Sequence, residues 1–249
     1  MSKKLRNYLT LPLLFTATLV FGQAKTIEVK SFNEVVISPH IEVEFEESDR
    51  EAVVVEDLNV SWDKLNVEVE GKTLHIYLDG AKVYTKSEKI KNDDYKNSYP
   101  LYDGTVATVK VFYRKMELAS LRGDETHKFK SELQGDKFKL NIYGEPKVNI
   151  AKVHLEEFKA TIYGEGYLEV KEGKIEEQKI ISYGESEVNM LGVNNEISRI
   201  TAYGEGRVRL AVSDELKVTA YGEASIHYKG NPQVNKGIVL GEARIHQID

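Results

Sequence analysis

Apolar and polar residues alternate along most of this chain, and the alternation recurs as a block. Phe138, Leu140, Ile142, Gly144, Val148 and Ile150 fall on one side of an extended backbone, while Lys139, Asn141, Tyr143, Glu145, Lys147 and Asn149 fall on the other. Later blocks repeat it with Phe158, Ala160, Ile162, Leu168 and Val170, then Ser198, Ile200, Ala202, Val208 and Leu210, then Leu216, Val218, Ala220, Ile226 and Tyr228. A period of two predicts β-strands with one buried face. Upstream, Val35, Ile37, Ile41, Val43 and Phe45, then Val53 and Val55, then Leu65, Val67 and Val69, then Leu74, Ile76 and Leu78, then Val109, Val111 and Tyr113 predict further strands. Pro39 marks an edge or bulge and Asp79-Gly80 ends a strand. Nothing longer than one helical turn is predicted, at 48–51 or 61–64.

The blocks share a motif. Tyr-Gly-Glu occurs at 143–145, 163–165, 183–185, 203–205 and 221–223, with Leu240-Gly241-Glu242 and Arg122-Gly123-Asp124 as degenerate copies, so the glycines are 21, 20, 20, 20, 18 and 19 residues apart. One such block buries too little to fold alone, so copies must stack. The predicted fold is all-β: a single-stack, right-handed β-helix with rungs of about 20 residues, whose equivalent residues form columns ~4.8 Å apart. The recurrent glycine, followed two residues on by Pro146, Gly166, Ser186, Gly206, Ala224 or Ala243, suits a sharp corner. A phosphate cradle would need a helix start after the glycines, which the pattern lacks.

Residues 1–22 read as a signal peptide, with Lys3, Lys4 and Arg6 before the apolar run Leu11–Phe21 and the small residues Val20 and Gly22 at the cleavage site. The run is too short to span a bilayer. Residues 23–249 then form one solenoid domain, strand-rich but irregular over 25–120, with a polar excursion at 82–104, and regular over 118–249. After cleavage 31 Lys and Arg face 40 Asp and Glu, a net charge of −9, which argues against nucleic acid as a partner. The absence of cysteine excludes disulfides, thiolate metal sites and a lipoprotein anchor.

The segments Val29-Lys30-Ser31-Phe32-Asn33-Glu34-Val35, Ile41 to Phe45, Val53 to Asn59, Leu65 to Ile76 and Leu118 to Asp124, in this order, resemble the head GIN domain of auto-transporter adhesins, a family without an assigned biochemical function. The resemblance covers essentially the whole mature chain. It implies an exported β-solenoid and supplies no catalytic residues. Where the family's rungs tend to carry Gly-Ser-Gly or Gly-Asp, this chain has Tyr-Gly-Glu.

Three outward columns are candidates for function: Tyr143, Tyr163, Tyr183, Tyr203 and Tyr221; Glu145, Glu165, Glu185, Glu205, Glu223 and Glu242; and Lys139, Lys159, Lys179, Arg199, Lys217 and Lys236. They either stabilise the stack or offer a platform on which sugar rings stack against tyrosine faces beside carboxylates. Like charges in adjacent rungs repel, so either the basic column folds back onto the glutamates, or cations, calcium among them, relieve the repulsion. Catalysis is not expected. Two carboxylates working as acid and base need contrasting environments, and a regular ladder makes them alike. The six histidines have no metal-ligand spacing, and no Gly-x-Ser-x-Gly elbow occurs. The predicted role is an exported, non-catalytic module of the periplasm or cell surface, adhesin-like, with a polysaccharide or another envelope protein as partner. A carbohydrate-binding module is the alternative, and a polysaccharide-degrading enzyme comes third.

Overall fold

The computed structural model describes residues 24–92 and 95–249, so the expected signal peptide lies outside the described residues. Five long strands carry the periodic region: β11 (Thr126–Gly144), β12 (Lys147–Gly164), β13 (Tyr167–Tyr183), β14 (Glu187–Gly204) and β15 (Arg207–Gly222). Each runs nearly one circuit between glycine corners and pairs in parallel with the next, Ile142 opposite Ile162, Tyr143 opposite Tyr163 and Gly144 opposite Gly164. β16 (Ser225–Lys229), β17 (Gln233–Leu240) and β18 (Arg244–Gln247) continue the stack. The fold is the predicted β-solenoid.

The core follows from the alternation. Leu140, Ile142, Val148, Ile162, Leu168, Val188, Ile200, Val208, Leu210, Val218 and Ile226 are each no more than 1% exposed. Stacked phenylalanines run through the junction with the upstream part: Phe45 lies on Phe129 at 4.4 Å, Phe129 meets Phe138 edge-on at 5.8 Å, and Phe138 continues to Phe158 at 6.1 Å.

The upstream strands join the same stack out of chain order. β10 (Leu118–Gly123) lies under the second half of β11 and on β2 (Glu34–Ile37), while the first half of β11 lies on β3 (Ile41–Glu47). Beneath β2 and β3 lie β6 (Thr73–Leu78) and β9 (Ala107–Tyr113), which form one further rung. The parallel stack stops there. β5 (Leu65–Glu70) pairs antiparallel with β6, β4 (Ala52–Leu58) antiparallel with β9, and β1 (Lys25–Glu28) antiparallel with β4. A single turn of 3-10 helix at Trp62–Lys64 is the short helical element.

This order places residues 82–104 at a particular point. They connect β6 to β9, so they leave the stack from the corner occupied in later rungs by the glycines. β7 (Ser87–Asn92) and β8 (Tyr95–Pro100) form an antiparallel hairpin that is a separate sheet. Its root is tied to the β2–β3 corner above by Ser38 Oγ donating to Lys82 O at 2.6 Å and by the His40 ring, 2.6 Å from Thr85 Oγ1 and 2.7 Å from Gly104 O.

Candidate functional site: the tyrosine and glutamate corner

The corner is built by the backbone before its side chains matter. Gly164 has φ 119°, and a Cβ there would lie 2.4 Å from the carbonyl oxygen of Gly144. That oxygen accepts the amide of Glu165 at 3.1 Å, and the same bond recurs from Glu145 to Gly123, Glu205 to Gly184 and Glu223 to Gly204 at 3.0–3.1 Å. Tyrosine and glutamate on either side of the glycine are thereby held one rung apart.

The five tyrosines form one stack. Ring centroids are 5.2, 4.8, 4.8 and 4.9 Å apart and successive planes lie within 6° of parallel. Arg122 caps the first ring, its guanidinium 5.5 Å from the Tyr143 centroid, and Leu240 lies in register with Tyr221 at the other end. Both faces of Tyr163, Tyr183 and Tyr203 are covered by neighbouring tyrosines. Their exposure, 42, 37 and 38%, therefore belongs to ring edges and hydroxyls. This corrects one sequence-based expectation: a sugar cannot stack on these faces, because a side chain one rung away already fills the space.

Glu145, Glu165, Glu185, Glu205, Glu223 and Glu242 are all exposed, and among the described residues none of them is in an ion pair. Of the alternatives for offsetting their repulsion, the fold-back of the basic column onto them is absent among the described residues. Lys139, Lys159, Lys179, Arg199 and Lys217 do stand in register, but Arg199 pairs with Glu177 instead. Lys236 leaves the column: a bulge puts Asn235 opposite Lys217 and Lys236 opposite the buried Val218. Among the described residues, no three carboxylates or histidines come close enough to hold a metal ion.

At the head of the ladder, in the degenerate copy, the Glu125 side chain is tucked inward. Its Oε2 accepts the Asp124 amide at 3.0 Å and its Oε1 is 4.0 Å from His40 Nδ1; burial raises the pKa of this carboxyl. Next to it, His127 occupies a core column between Val43 and Val148 with neither ring nitrogen bonded, and burial alone lowers its pKa to about 3. Sequence reading placed His127 among histidines without metal spacing. The repeat carries the signal for its burial: His127 stands four residues after Gly123, as the buried Val148, Leu168 and Val188 stand four after their glycines, and only the neighbour beneath it, Val43, comes from the non-sequential rung.

Several solved structures share this fold. A putative adhesin from Bacteroides fragilis superposes with TM-score 0.76 at 17% identity, covering 91% of this chain and 96% of its own. A putative adhesin from Parabacteroides merdae (TM-score 0.61, 22% identity) and a putative lipid binding protein from Parabacteroides distasonis (TM-score 0.61, 18% identity) have the same coverage of both chains. No curated protein matches the chain. Among the described residues no helix is long and apolar enough to cross a membrane. Residues 31–232 match the family described as putative auto-transporter adhesin, head GIN domain, and the chain belongs to that family.

Proposed function

We propose that this chain is an exported, non-catalytic, adhesin-like module of the cell envelope that holds an extended polysaccharide along the tyrosine and glutamate corner. The family's description supports the adhesin-like role. The observation that carries the ligand reading is the rigid, regular line of tyrosine edges beside unpaired carboxylates. Phenol hydroxyls and carboxylates at one-rung intervals can hydrogen-bond successive sugar hydroxyls of a polymer, and no cleft is needed. The hairpin at 82–104 stands at the Arg122 end and bounds the line there.

A glycan array, run with and without calcium, identifies a polymer for titration calorimetry. Affinity should rise with oligosaccharide length. Tyr183→Phe with Tyr203→Phe keeps the stacked rings and removes two hydroxyls, and Glu185→Gln with Glu205→Gln removes two charges. Each pair should weaken binding about tenfold, roughly 1.4 kcal/mol, with an unchanged melting temperature. If both double variants bind like wild type, the ladder serves the stack alone.

A further inference from the structure

The rungs deviate from their period at one place in particular, and the deviation opens a recess. Glycine corners are 20 residues apart from Gly144 to Gly204 and then 18 apart to Gly222. The register locates the change. Met190 pairs with Leu210 and Asn194 with Ala211, so Leu191, Gly192 and Val193 of β14 have no counterpart in β15. β15 takes a shorter path round this turn, roughly half a circuit from the tyrosines. Residues 194–196 are left overhanging 211–213 and 229–231, around a space of about 510 Å³. That is within the ~300–1,000 Å³ typical of small-ligand sites.

The recess is lined by polar groups, and one of them is unusual. Asn195 is 2% exposed and stands in a core-facing column whose neighbours are Ile175 and Val212. Its Nδ2 donates to Ala211 O at 2.9 Å and Val193 O at 3.2 Å, two carbonyls at the register break. Its Oδ1 has no partner, and a buried acceptor left unpaired costs about 1–3 kcal/mol. Lys174 and Glu196 neutralise each other at 2.9 Å on one side. On the other, Lys229 has no acidic partner among the described residues and lies beside Asn231.

We propose that this recess binds one sugar residue carrying a carboxylate, with Lys229 meeting the carboxylate and the exposed Asn194 and Asn231 meeting ring hydroxyls, while Asn195 braces the floor from inside. An amide set suits hydroxyls, which both donate and accept; the uncompensated lysine selects an anionic sugar over a neutral one. This site is distant from the tyrosine corner and stands or falls independently of the reading given above.

The test uses three probes with the whole chain: galacturonate, galactose and acetate, followed by saturation-transfer NMR and titration. Galacturonate should bind most tightly. Lys229→Met should weaken it about tenfold and leave galactose unchanged, Asn231→Ala should weaken both sugars, and Tyr183→Phe should weaken neither. Circular dichroism melting checks that each variant is folded; both side chains are exposed, so both variants should melt like wild type. No saturation transfer to galacturonate, equal binding of acetate and galacturonate, or binding unaffected by Lys229→Met would each overturn the proposal.

Discussion

The two ends of this solenoid reach the same cross-section by different means. From β11 onward each strand lies on its predecessor, and one residue pattern is reused at every corner. Upstream, the rung made by β6 and β9 comes later in the chain than the rung it supports, and antiparallel strands close the stack beneath it. Corner chemistry differs accordingly. Gly164, Gly184 and Gly204 turn with positive φ against the carbonyl below. In the β2–β3 rung the turn is made by Ser38, Pro39 and His40, where His40 adopts φ 71° and its ring is fixed by two hydrogen bonds. A repeat can reuse one cheap solution, whereas a single rung must hold a costly conformation with specific partners.

The largest expected effect lies in the regular core. Ile200→Ala should cost roughly 2–5 kcal/mol in denaturant unfolding, because Ile180 and Val218 cover it from both sides. A comparable loss should come from Gly164→Ala, about 3 kcal/mol, at the upper end of the strain range because a close contact adds to the positive φ. Gly71→Ala, in the upstream β5–β6 turn, sharpens the contrast. Its φ is 63° but a Cβ meets nothing within 4 Å, so the loss should be about 1 kcal/mol. Equal losses at Gly71 and Gly164 would show that stacking adds nothing to the corner requirement.

The junction between the two regions should show up in pH dependence. His127 is buried as the neutral imidazole, with a native pKa of about 3 against an ordinary value near 6.5. Below pH 6.5 the unfolded chain takes up a proton that the native protein refuses, so stability is complete above that pH and falls on acidification until about pH 3. The slope contributed by this one group is about 1.4 kcal/mol per pH unit, or about 2 kcal/mol between pH 6.5 and 5. His127→Val matches the residues in adjacent rungs, Val43 and Val148. It should remove this component when unfolding is compared at pH 7 and pH 5; identical pH profiles for the two proteins would exclude a buried neutral histidine.

The smallest effect concerns the ladder. Tyr183→Phe should change stability by less than about 0.5 kcal/mol, since ring stacking is retained and an exposed hydroxyl contributes little. Tyr183→Ala should cost about 0.5–1.5 kcal/mol or more by interrupting two stacked contacts.

Alternation and period were enough to give the fold class, the inward residues and the glycine and tyrosine columns. These follow from local rules: a strand shows successive side chains to opposite faces, and identical rungs can stack only in register. Tertiary structure decided the rest. The order of the upstream rungs, and hence what lies beneath His127 and the emergence of the hairpin at the ladder corner, depends on pairings between segments about 40 to 80 residues apart, which no local pattern encodes. The closed tyrosine faces follow from side-chain rotamers, since an outward position leaves open whether a ring lies across the strands or parallel to its neighbours. The 18-residue spacing after Gly204 was visible in the chain. That it unpairs Leu191 to Val193 and opens a recess beside Asn195, instead of simply tightening the turn, was settled only by where β14 and β15 could still align their core residues.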